Sequence, residues 1–386
     1  MSWPLVQIGK YADKVRTWNP AAGEECIFQY VDLSSVDKSR KVIDLDNVAE
    51  ISSAEAPSRA RQLVVAGDVL VATVRPNLNG VAVVPAELNG ATASTGYCVL
   101  RADEKNLHGR YLFHWVQTGS FVEDMMSKAT GANYPAVSDK IVKESKIPLP
   151  PLPEQKRIAA ILDKADAIRR KRQQAIQLAD DFLRAVFLDM FGDPVTNPKG
   201  WTLKRFGEVG TWSSGGTPSR AVSDFFEGEI NWYSAGELNS RYLDGSVEKI
   251  SESAIKNSAA KIFKKGSLLV GMYDTAAMKI SILKEDSSCN QACANVECNE
   301  LASVEWLYSY IDYAKDSYLS RRRGVRQKNL NLGMIRDFLL PLPPRDLQDE
   351  FVRFVSAVFG IKKKQEEGKD FPVFESLSLK AFSGQL

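Results

Sequence analysis

The tetrapeptide Pro-Leu-Pro-Pro occurs twice, at Pro148–Pro151 and Pro341–Pro344, and each time an apolar-patterned segment follows at once. Proline fixes φ near −65°, restricts the residue before it and is tolerated only in the first turn of a helix, so each run reads as a stiff elbow into a helix. An elbow and helix used twice make internal duplication the tightest constraint on the fold. Superposing the elbows, an offset of 193 residues, places Gln155 on Gln348 and Gly131 on Gly324. Upstream, WPLVQIGKY (3–11) matches WTLKRFGEV (201–209) at an offset of 198, and AGDVLVATVR (66–75) matches KGSLLVGMYD (265–274) at 199. Anchors in one order, with an offset that drifts only slightly, indicate duplication with small loop changes.

The chain therefore divides into a first unit (1–150), a helical region (151–194), a second unit (195–343) and a closing helical region (344–386). Each unit has about 145 residues, a normal domain size. Between the anchors the two share little: the frame repeats and the surfaces differ. Glu154 to Phe191 contains neither Pro nor Gly, and Gly192-Asp193-Pro194 stops it. Fully helical, it would extend about 57 Å at ~1.5 Å per residue, longer than one unit is wide. Ile158, Ile161, Ala165 and Ile168 recur at steps of three and four, as do Phe351, Phe354, Val358 and Ile361. That spacing predicts an antiparallel coiled-coil spacer between the units. Gly360 and Gly368 should fray the second helix.

Chemical signatures are missing. There is no phosphate loop: GTWSSGGTPSR (210–220) has the glycines without the Lys and reads as a turn. There is no His-Glu-x-x-His, and the two histidines, His108 and His114, suit packing. Cys289, Cys293 and Cys298 lack a second close pair, which argues against zinc. Neither an amino-methyl-transfer tetrapeptide nor a methyl-donor motif appears. With 50 basic and 48 acidic side chains the net charge is only +2, so any nucleic-acid surface must gather its cations locally. No run of 18 apolar residues could span a membrane. The opening MSWPLVQIGKYADK lacks the apolar stretch of a secretory signal, and five cysteines without a paired framework suit a reducing compartment, so the expected location is the cytoplasm. Duplicated domains without catalytic groups suggest recognition.

The pattern resembles the specificity subunit of type I DNA restriction-modification systems, over essentially the whole chain. The resemblance rests on IPLPPLPEQKRIAAILDKAD (147–166), FLDMFGDP (187–194), WSSGGTPSR (212–220), RGVRQKNLNL (323–332) before LLPLPP, and LKAFSGQL (379–386). The second elbow departs from the first, with Arg345-Asp346-Leu347 where the first has Leu152-Pro153-Glu154. The resemblance implies two target recognition domains of mixed α/β fold, each reading half of a split sequence in double-stranded DNA. The helices would space them and dock two methyltransferase subunits, with two restriction/translocase subunits as optional additions. Methyl donor, ATP and magnesium would belong to those partners, leaving this chain non-catalytic, without cofactor or metal.

Reading bases needs Arg, Lys, Asn or Gln on base edges. The first unit offers Arg75, Asn77 and Asn79 in VRPNLNG, and Thr130, Asn133 and Tyr134 in ATGANYPAVS. The second offers Thr217 and Arg220, Tyr273 beside Asp274, and Asn290 and Gln291. It also offers the basic run Arg321, Arg322, Arg323, Arg326, Gln327, Lys328 and Asn329. Arg169-Arg170-Lys171-Arg172 could face phosphates from the spacer. Two other classes fit the same features: a protein-binding scaffold, and the recognition fragment of a diverged DNA methyltransferase.

Overall fold

The computed structural model describes residues 3–22, 24–131, 133–320, 329–367 and 371–386, with backbone alone for 364–367 and 371–375. The chain forms two compact units, Met1–Gln174 with Glu367–Leu386, and Ala175–Glu366. Helices among the described residues are α1 (Gly109–Trp115), α2 (Gly119–Lys128), α3 (Asp139–Glu144), α4 (Leu152–Phe191), α5 (Glu252–Asn257), α6 (Val304–Leu319), α7 (Leu332–Asp337), α8 (Arg345–Glu367) and α9 (Phe371–Ser383).

In the first unit the fully buried strand Val69–Ala72 pairs antiparallel with Tyr97–Ala102 and with Val81–Val83. A second four-stranded sheet is ordered Ala49–Ser52, Ile27–Val31, Thr92–Ser94, Ala60–Leu63. In the second unit the equally buried Leu268–Gly271 lies between Cys293–Cys298 and Ile280–Leu283 in a five-stranded sheet. Strands buried on both faces read as continuous apolar runs rather than alternating ones, as these do. Gly67 and Gly266 open the turns before the two central strands with φ of +92° and +83°, a conformation that disfavours a Cβ.

The duplication extends to individual hydrogen bonds. Each elbow closes a two-stranded antiparallel ribbon with the start of its unit, Leu5–Gln7 with Lys146–Pro148 and Thr202–Arg205 with Leu339–Leu342. Ile8 N–H donates to Ser145 O at 3.0 Å as Phe206 N–H does to Phe338 O at 2.9 Å. Ser138 caps α3 as Asn331 caps α7. Gln155 and Gln348, both fully buried, form identical latches. The Gln155 amide donates to Pro150 O and Asn106 O and accepts from His108 N–H, each at 2.9 Å. Gln348 donates to Pro343 O (2.9 Å) and Leu301 O (3.0 Å) and accepts from Ser303 N–H (2.8 Å). Each glutamine thus ties the elbow and the helix after it to the start of α1 or α6 in its own unit.

Each latch sets the unit against which the start of its helix packs. Ile158 joins the first unit's core with Leu162, Ala381 and Phe382, while Phe351 and Val358 join the second unit's core. Ile161 and Ala165 are half-buried, and Ile168 and Ile361 are exposed. The pairing that forms lies within the second unit, between the last turns of α4 and the body of α8. Phe187 meets Phe351 edge-on, Phe182 meets Phe354, and Lys362 pairs with Asp180, so the two segments run antiparallel. In the first unit the corresponding place is taken by α9, whose Phe382 packs on Tyr111 and Trp115. Gly192 after α4 and Gly384 after α9 both stand at positive φ, the usual helix stop. Helix α8 continues through Gly360 rather than fraying there, and Gly368 lies outside the described residues.

Candidate nucleic-acid interface

The buried strands Val69–Ala72 and Leu268–Gly271 run out into loops of one shape. Arg75 and Asp274 both adopt left-handed backbone (φ 51° and 49°), as do Asn79 and Met278 (φ 45° and 59°), each pair 199 residues apart. Leu78 N–H donates to Arg75 O as Ala277 N–H donates to Asp274 O. Ala72 N–H donates to Gly80 O, and Gly271 N–H to Lys279 O, each at 2.8 Å. A second segment braces each loop: Val137 N–H donates to Thr73 O (2.9 Å) and Leu330 N–H to Met272 O (2.8 Å). Left-handed backbone costs a residue with a Cβ about 1–3 kcal/mol where it is held, and such strain concentrates at functional sites.

In the first unit the brace brings the candidates together. Arg75 N–H donates to Pro135 O at 2.7 Å, and the Arg75 guanidinium lies 4.4 Å from the centre of the Tyr134 ring. Asn77, Thr130 and Asn133 are exposed beside them in sequence. Asn79 is spent on structure, its amide donating to Gln117 O at 3.0 Å.

In the second unit Thr217 and Gln291 meet through a side-chain hydrogen bond. The glycines before Thr217 are packing requirements, since a Cβ at Gly215 or Gly216 would run into the backbone of Asn290 or Ala259. Arg220 is engaged by Glu248 in a two-pronged ion pair and lies over Phe226. Asn290 accepts from Ala292 N–H and shapes its own turn. Asn329 accepts from Asp274 N–H at 2.9 Å, and Tyr273 is exposed. Arg321, Arg322, Arg323, Arg326, Gln327 and Lys328 lie outside the described residues.

Sequence reasoning missed a basic hairpin. Val36–Asp37 and Val42–Ile43 pair across Lys38-Ser39-Arg40-Lys41, and the Lys41 ammonium donates to Asn79 O at the end of the Arg75 loop. Burial, then the positive charge of Arg169, pushes the Lys41 ammonium down to about 8. Three cations in four residues were a visible signal; the neighbouring loop was not. On α4, Arg169 and Arg170 both pair with Asp166, which offsets part of that charge run.

Two further titratable groups belong to the packing of the fold. Asp163 on α4 accepts from His114 at 2.8 Å and pairs with Arg110, tying α4 to α1. Burial would raise its pKa, yet the two donors hold it well below the usual carboxylate range. The Cys293 thiol beside Cys289, together with burial, pushes the Cys289 thiol up. Among the described residues no cluster of His, Cys, Asp or Glu could hold a metal, and no helix is long and apolar enough to cross a membrane.

The model for the type I restriction modification DNA specificity domain matches residues 65–178 and again 198–369. The chain belongs to this family. Two specificity domains in one chain are the duplication seen in the hydrogen bonds above. The specificity subunit of the Escherichia coli type I restriction enzyme EcoR124I/EcoR124II is 24% identical over 293 residues, covering 72% of this chain and 70% of that one. The MjaIX specificity subunit of Methanocaldococcus jannaschii is 24% identical over 197 residues, covering 48% of this chain and 43% of that one. Among solved structures, a chain from work on complex assembly and conformational transition of the type I R-M system is 25% identical, with a TM-score of 0.58 over 100% of this chain and 98% of its own. The type I system S subunit of M. genitalium shares the fold at a TM-score of 0.62 and 14% identity, over 99% and 96% of the two chains. The mixed α/β specificity domain, used twice, is therefore the architecture of this chain.

Proposed function

We propose that this chain is the sequence-reading subunit of a type I restriction-modification complex. It binds double-stranded DNA, and each unit reads one half of a split, asymmetric target. The observation that carries this reading is the pair of identically strained loops, 75–79 and 274–278, in which no side chain is the same. A backbone kept in a costly shape while its side chains diverge suits two readers of different sequences. Lys38, Arg40 and Lys41, flanking the first loop, supply phosphate contacts that position without specifying.

Two methyltransferase subunits dock on the helical regions 151–194 and 344–386. Exposed Ile168, Leu178 and Leu188 on α4 and Ile361 on α8 supply apolar contact there. Two restriction/translocase subunits complete the assembly, an ATP-dependent type I site-specific deoxyribonuclease that also methylates adenine. The chain itself is non-catalytic and holds no cofactor; the complex works in the cytoplasm.

Binding of a target duplex by the chain with its methyltransferase, measured across salt concentrations, tests the reading. Neutralising several phosphates predicts a log–log slope of about −0.9 per contact. Salt-insensitive binding, or none, would favour a protein-binding scaffold; methyl-donor binding by the isolated chain would favour a methyltransferase fragment.

A further inference from the structure

The proposed function leaves open what any one residue reads. We infer that Arg75 reads a guanine in the half-site of the first unit, with Tyr134 as the platform that fixes its plane; this rests on the proposed DNA-reading role.

Arg75 is held at both ends. Its backbone is left-handed, with φ 51° and ψ 61°, and its N–H is bonded to Pro135 O. Val74 bridges Ala136, and Ala136 exchanges both backbone hydrogen bonds with Thr130, so Ala136 is fastened on both sides close to Tyr134. The guanidinium stacks 4.4 Å from the Tyr134 ring centre, and that ring is 66% exposed. Contact with the ring restrains the guanidinium and occupies one of its faces.

Among the described residues Arg75 forms no ion pair with a carboxylate, whereas Arg220 in the second unit is paired with Glu248. An exposed arginine seated on a ring, with its fork unspent on any described carboxylate, matches O6 and N7 of guanine in the major groove, a pairing that uses two parallel donors. A phosphate could take the same fork, but Lys41, bonded to Asn79 O at the other end of the loop, already supplies charge for the backbone there.

The test is the methylated target of the complete complex, read in cells and as relative methylation of duplexes that differ at single positions. Arg75→Gly removes the guanidinium while suiting the left-handed backbone, so folding is preserved. Arg75→Lys keeps the charge and loses the fork. Both variants should lose about 5- to 150-fold discrimination at one guanine position, with the other half-site unchanged. Tyr134→Phe should retain discrimination and Tyr134→Ala should weaken it. An unchanged target in Arg75→Gly overturns the inference, as does full rescue by Arg75→Lys with affinity scaled evenly across sequences. Either result leaves DNA reading intact, provided the unaltered complex still methylates a split target. If the unaltered complex binds no DNA, the proposed function itself fails.

Discussion

The first unit carries Arg75-Pro76-Asn77-Leu78-Asn79 where the second carries Asp274-Thr275-Ala276-Ala277-Met278, on the same left-handed, strained backbone. Opposite charges head the two loops, and nothing in the side chains would suggest a common shape. The braces also differ in chemistry: Arg75 N–H is met by a backbone carbonyl and Asp274 N–H by the Asn329 side chain. What both units share is the hydrogen bonding that returns each loop to its buried strand and the latch that returns each elbow to its helix. Shape is carried by backbone bonds and the buried glutamines, which leaves the exposed side chains free to diverge.

The comparison can be broken most forcefully at the aromatic seats. Phe187 meets Phe191, Tyr313 and Phe351, while Phe382, in the corresponding place of the first unit, meets Tyr111 and Trp115. Phe187→Ala should cost about 3–5 kcal/mol in urea unfolding, and Phe382→Ala clearly less. Equal losses would show that the two seats are equivalent in energy as well as in place. The latches come next. Gln155→Leu and Gln348→Leu each strand two carbonyls and one N–H, so each should cost about 3 kcal/mol, and the two values should agree within about 1 kcal/mol. A twofold disagreement would mean that the repeated geometry hides different energetics.

The ion pairs sharpen the contrast. In the first unit Asp163 ties α4 to α1 through His114 and Arg110; in the second, Arg241 and Tyr242 engage Glu305 on α6 instead. Because the Asp163 carboxyl is held below its ordinary range, its stabilisation is complete above the unfolded value near ~3.9 and fades as pH falls towards the folded value. Asp163→Asn should cost about 1 kcal/mol at pH 7, given its partial exposure, and the difference from the unaltered chain should shrink in acid. The last contrast concerns Lys41. Its folded value near 8 lies below the ordinary 10.5, so the folded chain binds fewer protons in that interval. Stability relative to Lys41→Met should therefore rise from pH 8 to 10.5; a flat difference would place Lys41 in water.

Much of the frame was legible in the sequence because duplication aligns positions directly: Gln155 falls on Gln348, and Arg75 on Asp274. The helix partners were not, since a three–four spacing defines a face without saying what covers it. Ile158 and Phe351 share a spacing and lie in different cores because the latches fix each helix start to its own unit. Among the candidate readers, Asn79 and Arg220 have partners 38 and 28 residues away, Gln117 and Glu248, that no local pattern reveals. The Lys38–Lys41 hairpin was missed for the same reason: its meaning lies in the loop it touches.

The most direct test of two units reading two different half-sites is the methylome of a host carrying this chain with its methyltransferase, set beside that of the Arg75→Gly variant. The account predicts an asymmetric target in two parts separated by unread bases, with the variant altering one part and leaving the other and the gap unchanged. A palindromic or continuous target, or a variant that changes both parts together, would contradict it.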